Sequence, residues 1–222
     1  MQIRAILSVL TLLAAPLGAQ AFTGTLTVRM SVPGVGPMDV KAHLADGKQA
    51  MVMAGGPGVM ANAEMRMVIN PAERRITTFT SMPGAPGGGK FKQVQTFAPP
   101  TTASGDATVT VTKLGTSQTV AGLKCDDYEL VSQGETTKMC ATETLGRFNM
   151  SMEGANGRGA TPAWARALRN RNFFPLKVWN AEGGVSLEVT AVDRTAPAAA
   201  LFDEDTPGYA TMPGGMPGMR RN

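Results

Sequence analysis

The sequence predicts a mainly β protein, built as a single curved antiparallel sheet of about eleven strands (a half-barrel) with one short helix over or beside its concave face. Three observations predict this fold. Apolar and polar residues alternate with a period of two in many short segments, which is the pattern of half-buried strands. Glycine and proline are frequent, at 26 and 15 of 222 residues, so turns are plentiful and long helices are disfavoured. A clear helix start signal occurs at Thr161 and Pro162.

Two antiparallel strands are predicted to open the fold. Residues 22–32 place apolar side chains on even positions and polar ones on odd positions, and the alternation resumes after Pro33 and Gly34. Asp46 and Gly47 follow, a dipeptide typical of tight hairpin turns. The second strand is therefore expected to turn back directly into the third.

Nine further segments have the composition of strands, and each clearly alternating strand has one apolar side. With aromatic residues at only 5%, the resulting apolar face of the sheet is expected to be lined by Met, Val, Leu and Ala. The nine segments are residues 48–53, 64–70, 74–80, 91–97, 108–113, 125–130, 136–142, 174–180 and 185–194.

The helix is predicted from Pro162 to about Asn170, with Thr161 as its N-cap. Its apolar side carries Trp164 and Leu168, so it could cover the apolar face of the sheet. Residues 22–210 are expected to form one β-rich domain. Residues 211–222, which repeat Met, Pro and Gly, are expected to form a disordered tail.

Residues 1–21 have the pattern of a removable signal peptide. Arg4 gives a cationic start, an apolar stretch follows, and Ala19 and Ala21 supply the small residues of a cleavage site. The mature chain is expected to begin at Phe22 and to be periplasmic or secreted in a Gram-negative cell. No apolar run reaches the length of a membrane span, so an integral membrane protein is not predicted.

Cys125 and Cys140 flank a predicted hairpin and are expected to form a disulfide in an oxidising compartment. The apolar pattern favours a register that sets the two cysteines directly opposite each other across a four-residue loop, residues 131–134. A thiol pair for metal or redox chemistry is the alternative. The spacing is not that of a Cys-x-x-Cys motif, which disfavours it.

Methionine is abundant, at 15 of 222 residues. Met51 and Met53, like Met65 and Met67, have the Met-x-Met spacing that puts both thioethers on one side of a strand. An adaptable apolar surface is the favoured interpretation. Copper(I) binding is the alternative, by these four residues or by three methionines of the tail: Met212, Met216 and Met219.

An enzyme is not predicted, because no set of nucleophile, base and orienting residue emerges from the spacing. His43, the only histidine, falls in a polar strand position and is expected to be solvated. No cofactor is predicted. The net charge of +4 and the lack of a recognisable motif argue against nucleic acid as a partner. Five basic residues without acidic ones between residues 154 and 181 could contact anionic lipid head groups or could be an ordinary solvated surface.

Several segments together resemble the bacterial domain of unknown function 4412. These segments are spread over nearly the whole mature chain. They are Phe22 to Val28, Val120 to Tyr128, Cys140 to Gly146, Pro162 to Trp164, Phe174 to Val178, Val189 to Val192, and the closing Leu201, Phe202 and Tyr209. The resemblance implies an exported protein whose architecture is similar to that of lipoprotein carriers of the LolA and LolB type, a curved sheet closed by helices over an apolar cavity.

The resulting hypothesis is a non-enzymatic binder of an apolar ligand, either a lipid, an acyl chain or a lipid-modified protein. The residues expected to line its site are Met30, Met38, Leu44, Met65, Met67, Trp164 and Leu168. A periplasmic copper-binding protein and a structural cell-envelope protein with a filled core are the alternatives.

Overall fold

The computed structural model describes residues 22–32, 36–54, 62–84, 89–96, 109–132, 134–146 and 173–211. They form twelve strands and one short 3-10 helix, Ala199–Phe202. The strands are β1 Gly24–Val32, β2 Gly36–Ala45, β3 Lys48–Ala54, β4 Glu64–Asn70, β5 Arg75–Ser81, β6 Lys90–Thr96, β7 Thr110–Val120, β8 Leu123–Ser132, β9 Glu135–Thr142, β10 Phe174–Trp179, β11 Val185–Asp193 and β12 Ala210–Thr211.

All twelve strands belong to one curved, open sheet in the order β12-β6-β5-β4-β3-β2-β1-β11-β10-β9-β8-β7. Neighbours are antiparallel except β12, which pairs in parallel with β6. The predicted fold class is confirmed, and each of the eleven expected strands is present. The helix expected from Pro162 lies outside the described residues, as do residues 1–21 and 212–222.

Tight turns connect most neighbouring strands because residues with positive φ occupy their centres. Asp46 and Gly47, with φ of 51° and 72°, join β2 to β3 in the hairpin that the sequence predicts. Ala121 and Gly122 have the same sign of φ, at 49° and 78°, and join β7 to β8. Turns of this hand match the twist of the two strands they connect.

One side of the sheet, called here the core face, carries the main apolar cluster. Leu26, Val28, Leu176, Val178 and Leu187 are each at most 1% exposed in it. The cluster draws residues from β1 to β4 and from β7 to β11, so strands that are distant in the sheet share one core. The core face is the apolar face that the alternation predicts.

The other side, called the opposite face, is polar on the central strands. Arg29 on β1 pairs with Asp39 on β2 at 2.9 Å, and Lys177 on β10 pairs with Glu188 on β11 at 2.8 Å. Registry places these four side chains in one row across the sheet with alternating charge. Ion pairs near the surface contribute little to stability, because water and salt screen them.

On β3 to β6 part of the opposite face is covered by the C-terminal segment, residues 199–211. Phe79 is 1% exposed there. The centroids of the Phe79 and Tyr209 rings are 5.0 Å apart, and the Arg66 guanidinium lies 4.2 Å from the centroid of the Phe79 ring. Arg66 also donates hydrogen bonds to the carbonyl oxygens of Ala200 and Leu201. The expectation of a single apolar face is therefore incomplete, because a second, smaller core lies under this segment.

Glu204 anchors the C-terminal segment to the sheet. Its carboxylate accepts hydrogen bonds from Asn70, Arg75 and Thr77, and the side chain is 9% exposed. Burial would raise the pKa of Glu204, but the bonds from Arg75, Asn70 and Thr77, with the charge of Arg75, outweigh burial and hold that pKa below its usual range.

Cys125 and Cys140 form the expected disulfide, with Cα atoms 5.4 Å apart. The predicted register is wrong by two residues, because Cys140 lies opposite Asp127 and the hairpin turns between the paired Ser132 and Glu135. The bridge is therefore diagonal. A two-residue turn, with Gly134 at φ 82°, replaces the expected four-residue loop because such turns fit the strand twist best.

Candidate functional site

Six methionines share the core face of four neighbouring strands, and we call this surface the methionine face. Strand registry places them together: Met30 lies opposite Met38, Met53 opposite Met65, and Met51 opposite Met67. Val40 pairs with both Val28 and Met53, which links the methionines of β1 and β2 to those of β3 and β4. Adjacent strands lie about 4.8 Å apart, so opposite thioethers can touch.

Exposure varies across the methionine face, and along β3 it rises from a buried end at Met51 to a half-exposed end at Met53. Met30 and Met51 are 7% and 3% exposed, whereas the other four, Met38, Met53, Met65 and Met67, are half-buried. Leu44 lies on the same face of β2 and is 8% exposed. The structure thus brings together the five described residues of the predicted ligand surface. Trp164 and Leu168 lie outside the described residues.

Such a surface can adapt its shape to an apolar partner. Methionine is unbranched, has three rotatable bonds and presents a polarizable sulfur, so its side chain refits to different hydrocarbon shapes at low cost. A half-buried methionine also retains apolar area that remains to be removed from water. These properties favour contact with hydrocarbon.

Gln49 is a polar residue in these apolar surroundings, and it is not among the site residues predicted from the sequence. It is 2% exposed, and its direct neighbours across the strands are Leu44 and Ile69. Both polar atoms of its amide, Oε1 and Nε2, lack a hydrogen-bond partner within the described structure. Its odd position, in phase with Met51 and Met53, is the sequence signal that could have placed it on this face.

A half-open pocket of about 530 Å³ lies near the other end of the sheet, between β7 and β10. Its lining includes Asp127, Lys138 and Trp179 on the opposite face and Tyr128 and Met139 on the core face, and none of the six residues of the methionine face. Asp127 accepts hydrogen bonds from Thr116 and Gln118 at 2.8 and 2.6 Å, which fixes its carboxylate. The pocket is therefore separate from the methionine face.

His43 is buried rather than solvated, at 9% exposure, and so the expectation for it is wrong. Its Nδ1 and the Oγ1 of Thr25 form a hydrogen bond of 2.8 Å. Burial, and then the charge of Lys41, lower the pKa of His43. The side chain lies on the opposite face, across from Ala50, away from the methionine face.

The described residues contain no group of three His, Cys, Asp or Glu side chains that could hold a metal ion. Methionine thioethers are metal ligands of a different kind from these side chains. Met51, Met53, Met65 and Met67 form two directly opposed pairs on β3 and β4, and soft thioethers suit copper(I). The tail methionines Met212, Met216 and Met219 lie outside the described residues.

The chain belongs to the family described as Domain of unknown function (DUF4412), whose model matches residues 22–207. No curated protein matches the sequence. In the part of the chain that the structure describes, no helix is long and apolar enough to cross a membrane.

One solved structure similar to this chain is described as "Structure of PNGF-II in P21 space group". It is 12% identical in sequence, with a TM-score of 0.45 over 86% of this chain. The matched part covers 31% of that chain, so this protein spans about a third of its length.

Proposed function

We propose that this protein is an exported, non-enzymatic binding protein that holds a lipid or another acyl chain against the methionine face. The observation that carries the proposal is the gathering of six thioethers on one face of β1 to β4, four of them half-buried. An apolar face of this kind, left partly open to solvent, suits an apolar ligand or partner.

The driving force is the removal of hydrocarbon from water. Each buried methylene group of an acyl chain contributes about 0.8 kcal/mol to binding. The methionine side chains that the ligand covers contribute a similar free energy per unit of apolar area. Adaptable methionines would accept chains of different length and saturation. The protein's contribution is shape and apolar area rather than chemistry.

Binding to the methionine face is tested with a fluorescent fatty acid and the Met53→Gln/Met65→Gln double variant. Glutamine keeps the side-chain length but opposes hydrocarbon contact, so we expect the affinity to fall at least tenfold. Val94→Gln is the matched control, because Val94 is 44% exposed on the opposite face of β6. Equal affinity in all three proteins would refute the proposal.

Export is supported by the signal-peptide pattern of residues 1–21 and by the disulfide between Cys125 and Cys140, since disulfides persist in oxidising compartments. The family match also begins at residue 22. Cell fractionation and N-terminal sequencing test it. We expect a periplasmic or secreted chain beginning at Phe22, and a cytoplasmic chain that keeps Met1 would contradict export.

A copper(I)-binding function is the second candidate, and the two opposed methionine pairs of β3 and β4 favour it. Met51→Leu/Met67→Leu separates the two candidates, because leucine keeps the apolar area and removes the sulfur. A competition titration with a copper(I) chelator should show weaker copper binding in this variant if copper is the ligand. Retained fatty-acid binding in the same variant favours the acyl chain.

A further inference from the structure

We propose that Gln49 is the polar anchor of the ligand site, and that the ligand is an amphiphile whose head group both donates and accepts hydrogen bonds, as an amide does. The inference rests on the proposed function and specifies its ligand class. It arises from one juxtaposition: an unpartnered, buried amide on the same sheet face as six methionines.

An unpaired amide inside an apolar core is costly. Buried polar groups in folded proteins almost always have hydrogen-bond partners, so an exception requires an explanation. Gln49 is 2% exposed and has Leu44 and Ile69, both hydrocarbon, directly across its two neighbouring strands. A leucine or methionine at this position would avoid the penalty.

The amide also determines the chemistry of its partner. Nε2 offers two donors and Oε1 accepts, and both atoms are unpartnered within the described structure. A ligand amide offers the complementary pair, a carbonyl oxygen and an N–H group. An ester offers only an acceptor, and a plain hydrocarbon offers neither.

The position of Gln49 fits the head of a ligand whose tail contacts methionines. Gln49, Met51 and Met53 occupy alternate positions of β3, and the distance from the first to the third is about 13 Å at the usual rise of a strand. A ligand lying along β3 would place its head at the buried end and its tail at the half-exposed end. Met51, which lies between them, is unbranched and can rotate to admit it.

Three probes of equal chain length test this inference on the mature protein: oleamide, methyl oleate and 1-octadecene. Each is measured by displacement of a fluorescent fatty acid. We expect oleamide to bind at least tenfold more tightly than 1-octadecene, which corresponds to 1.4 kcal/mol, with methyl oleate between them. In Gln49→Met the preference for oleamide should disappear while 1-octadecene binds as before.

Ser132→Ala is the matched control. Ser132 is 4% exposed, its Oγ is also unpartnered among the described residues, and registry places it on the core face, but on the distant strand β8. We expect it to leave the oleamide preference unchanged. Both substitutions remove an unpaired polar group, so each should raise the thermal midpoint, by about 2–4 °C or more for Gln49→Met.

The outcomes are distinguishable. If the probes bind but show no preference, or if Gln49→Met keeps the preference, Gln49 is not the anchor and the proposed function stands. A lower thermal midpoint for Gln49→Met would show that the amide is paired in the free protein, which also overturns the inference. If the fluorescent fatty acid itself does not bind the wild-type protein, both proposals fail; if it binds and none of the probes displaces it, the inference about Gln49 fails and the proposed function stands.

Discussion

Single residues account for how the C-terminal segment is held. Glu204 brings a carboxylate to the opposite face of the sheet, where Asn70, Arg75 and Thr77 donate to it. Nothing local in the run from Asp203 to Asp205 distinguishes Glu204 from a solvated acid, because its three partners come from residues 127 to 134 positions earlier. A contact so distant in sequence leaves no periodic signal.

Replacing Glu204 with glutamine should lower the free energy of unfolding by about 1–3 kcal/mol at pH 7, because the buried Asn70 and Thr77 lose their charged acceptor. Urea unfolding measures the change. Glu182→Gln in an exposed turn is the control and should change little. Equal stability of the two variants would contradict the anchoring role.

The stabilisation that Glu204 provides should decrease in acid. Since the pKa of Glu204 is lowered in the folded protein, the folded state binds fewer protons than the unfolded state. Its stabilisation is therefore fully present above the ordinary value of 4.5 and is lost as the pH falls through the lower pKa of the folded state. Below pH 5, the wild-type protein should lose stability more steeply than Glu204→Gln in urea unfolding. Parallel losses would contradict the assignment.

At the scale of elements, alternation predicts the faces of strands better than their register. Period-two alternation implies that Tyr128 and Leu130 share a face with Met139, and they do, whereas the predicted register of β8 and β9 was wrong by two residues. A shift of two preserves every side chain's face, so the apolar pattern cannot detect it, whereas a shift of one would reverse all faces. Only the choice of a two-residue turn distinguishes the two registers.

The same reasoning explains what could be predicted of the candidate site. Because side chains alternate between the two faces of a strand, Met51 and Met53 share one face of β3, and Met65 and Met67 share one face of β4. Strands that follow each other in an antiparallel sheet are usually neighbours, so β3 and β4 are expected to pair. That Gln49 is unpaired could not be predicted, since its partners or their absence depend on the neighbouring strands and on the packing over them.

Removing the disulfide should destabilise the β8–β9 hairpin. The bridge joins residues 15 positions apart, and a loop of this length corresponds to about 3 kcal/mol of unfolding free energy. Urea unfolding of Cys125→Ala/Cys140→Ala measures this effect, and the wild-type protein under reducing conditions should match the variant. An unchanged midpoint in both cases would show that the bridge is energetically neutral.

At the scale of the whole molecule, one open sheet carries two cores of different origin. The core face is built from β1 to β4 and β7 to β11, and alternation predicts it. The second core, around Phe79 and Val68, exists because the C-terminal segment lies over β3 to β6. Val68 and Phe79 lie out of phase with Ile69 and Ile76, the core-face residues of the same two strands, so alternation alone led to the expectation of a polar opposite face.

A chain that ends at residue 198 should therefore expose part of the opposite face. Phe79 and Val68, both at most 1% exposed, would lose their cover. We expect a lower thermal midpoint and stronger fluorescence of a dye that binds apolar surfaces. A chain that ends at residue 211 is the control and should behave as the full chain. Equal behaviour of both shortened chains would contradict the covering role.

The central claim, that an acyl chain binds the methionine face, is tested most directly by NMR of the protein labelled at its methionine methyl groups, with and without the fluorescent fatty acid. The signals of Met38, Met53, Met65 and Met67, assigned by single Met→Leu variants, are expected to shift and to saturate together. If these four signals stay unchanged while the fatty acid binds, or if the fatty acid does not bind, the claim is contradicted.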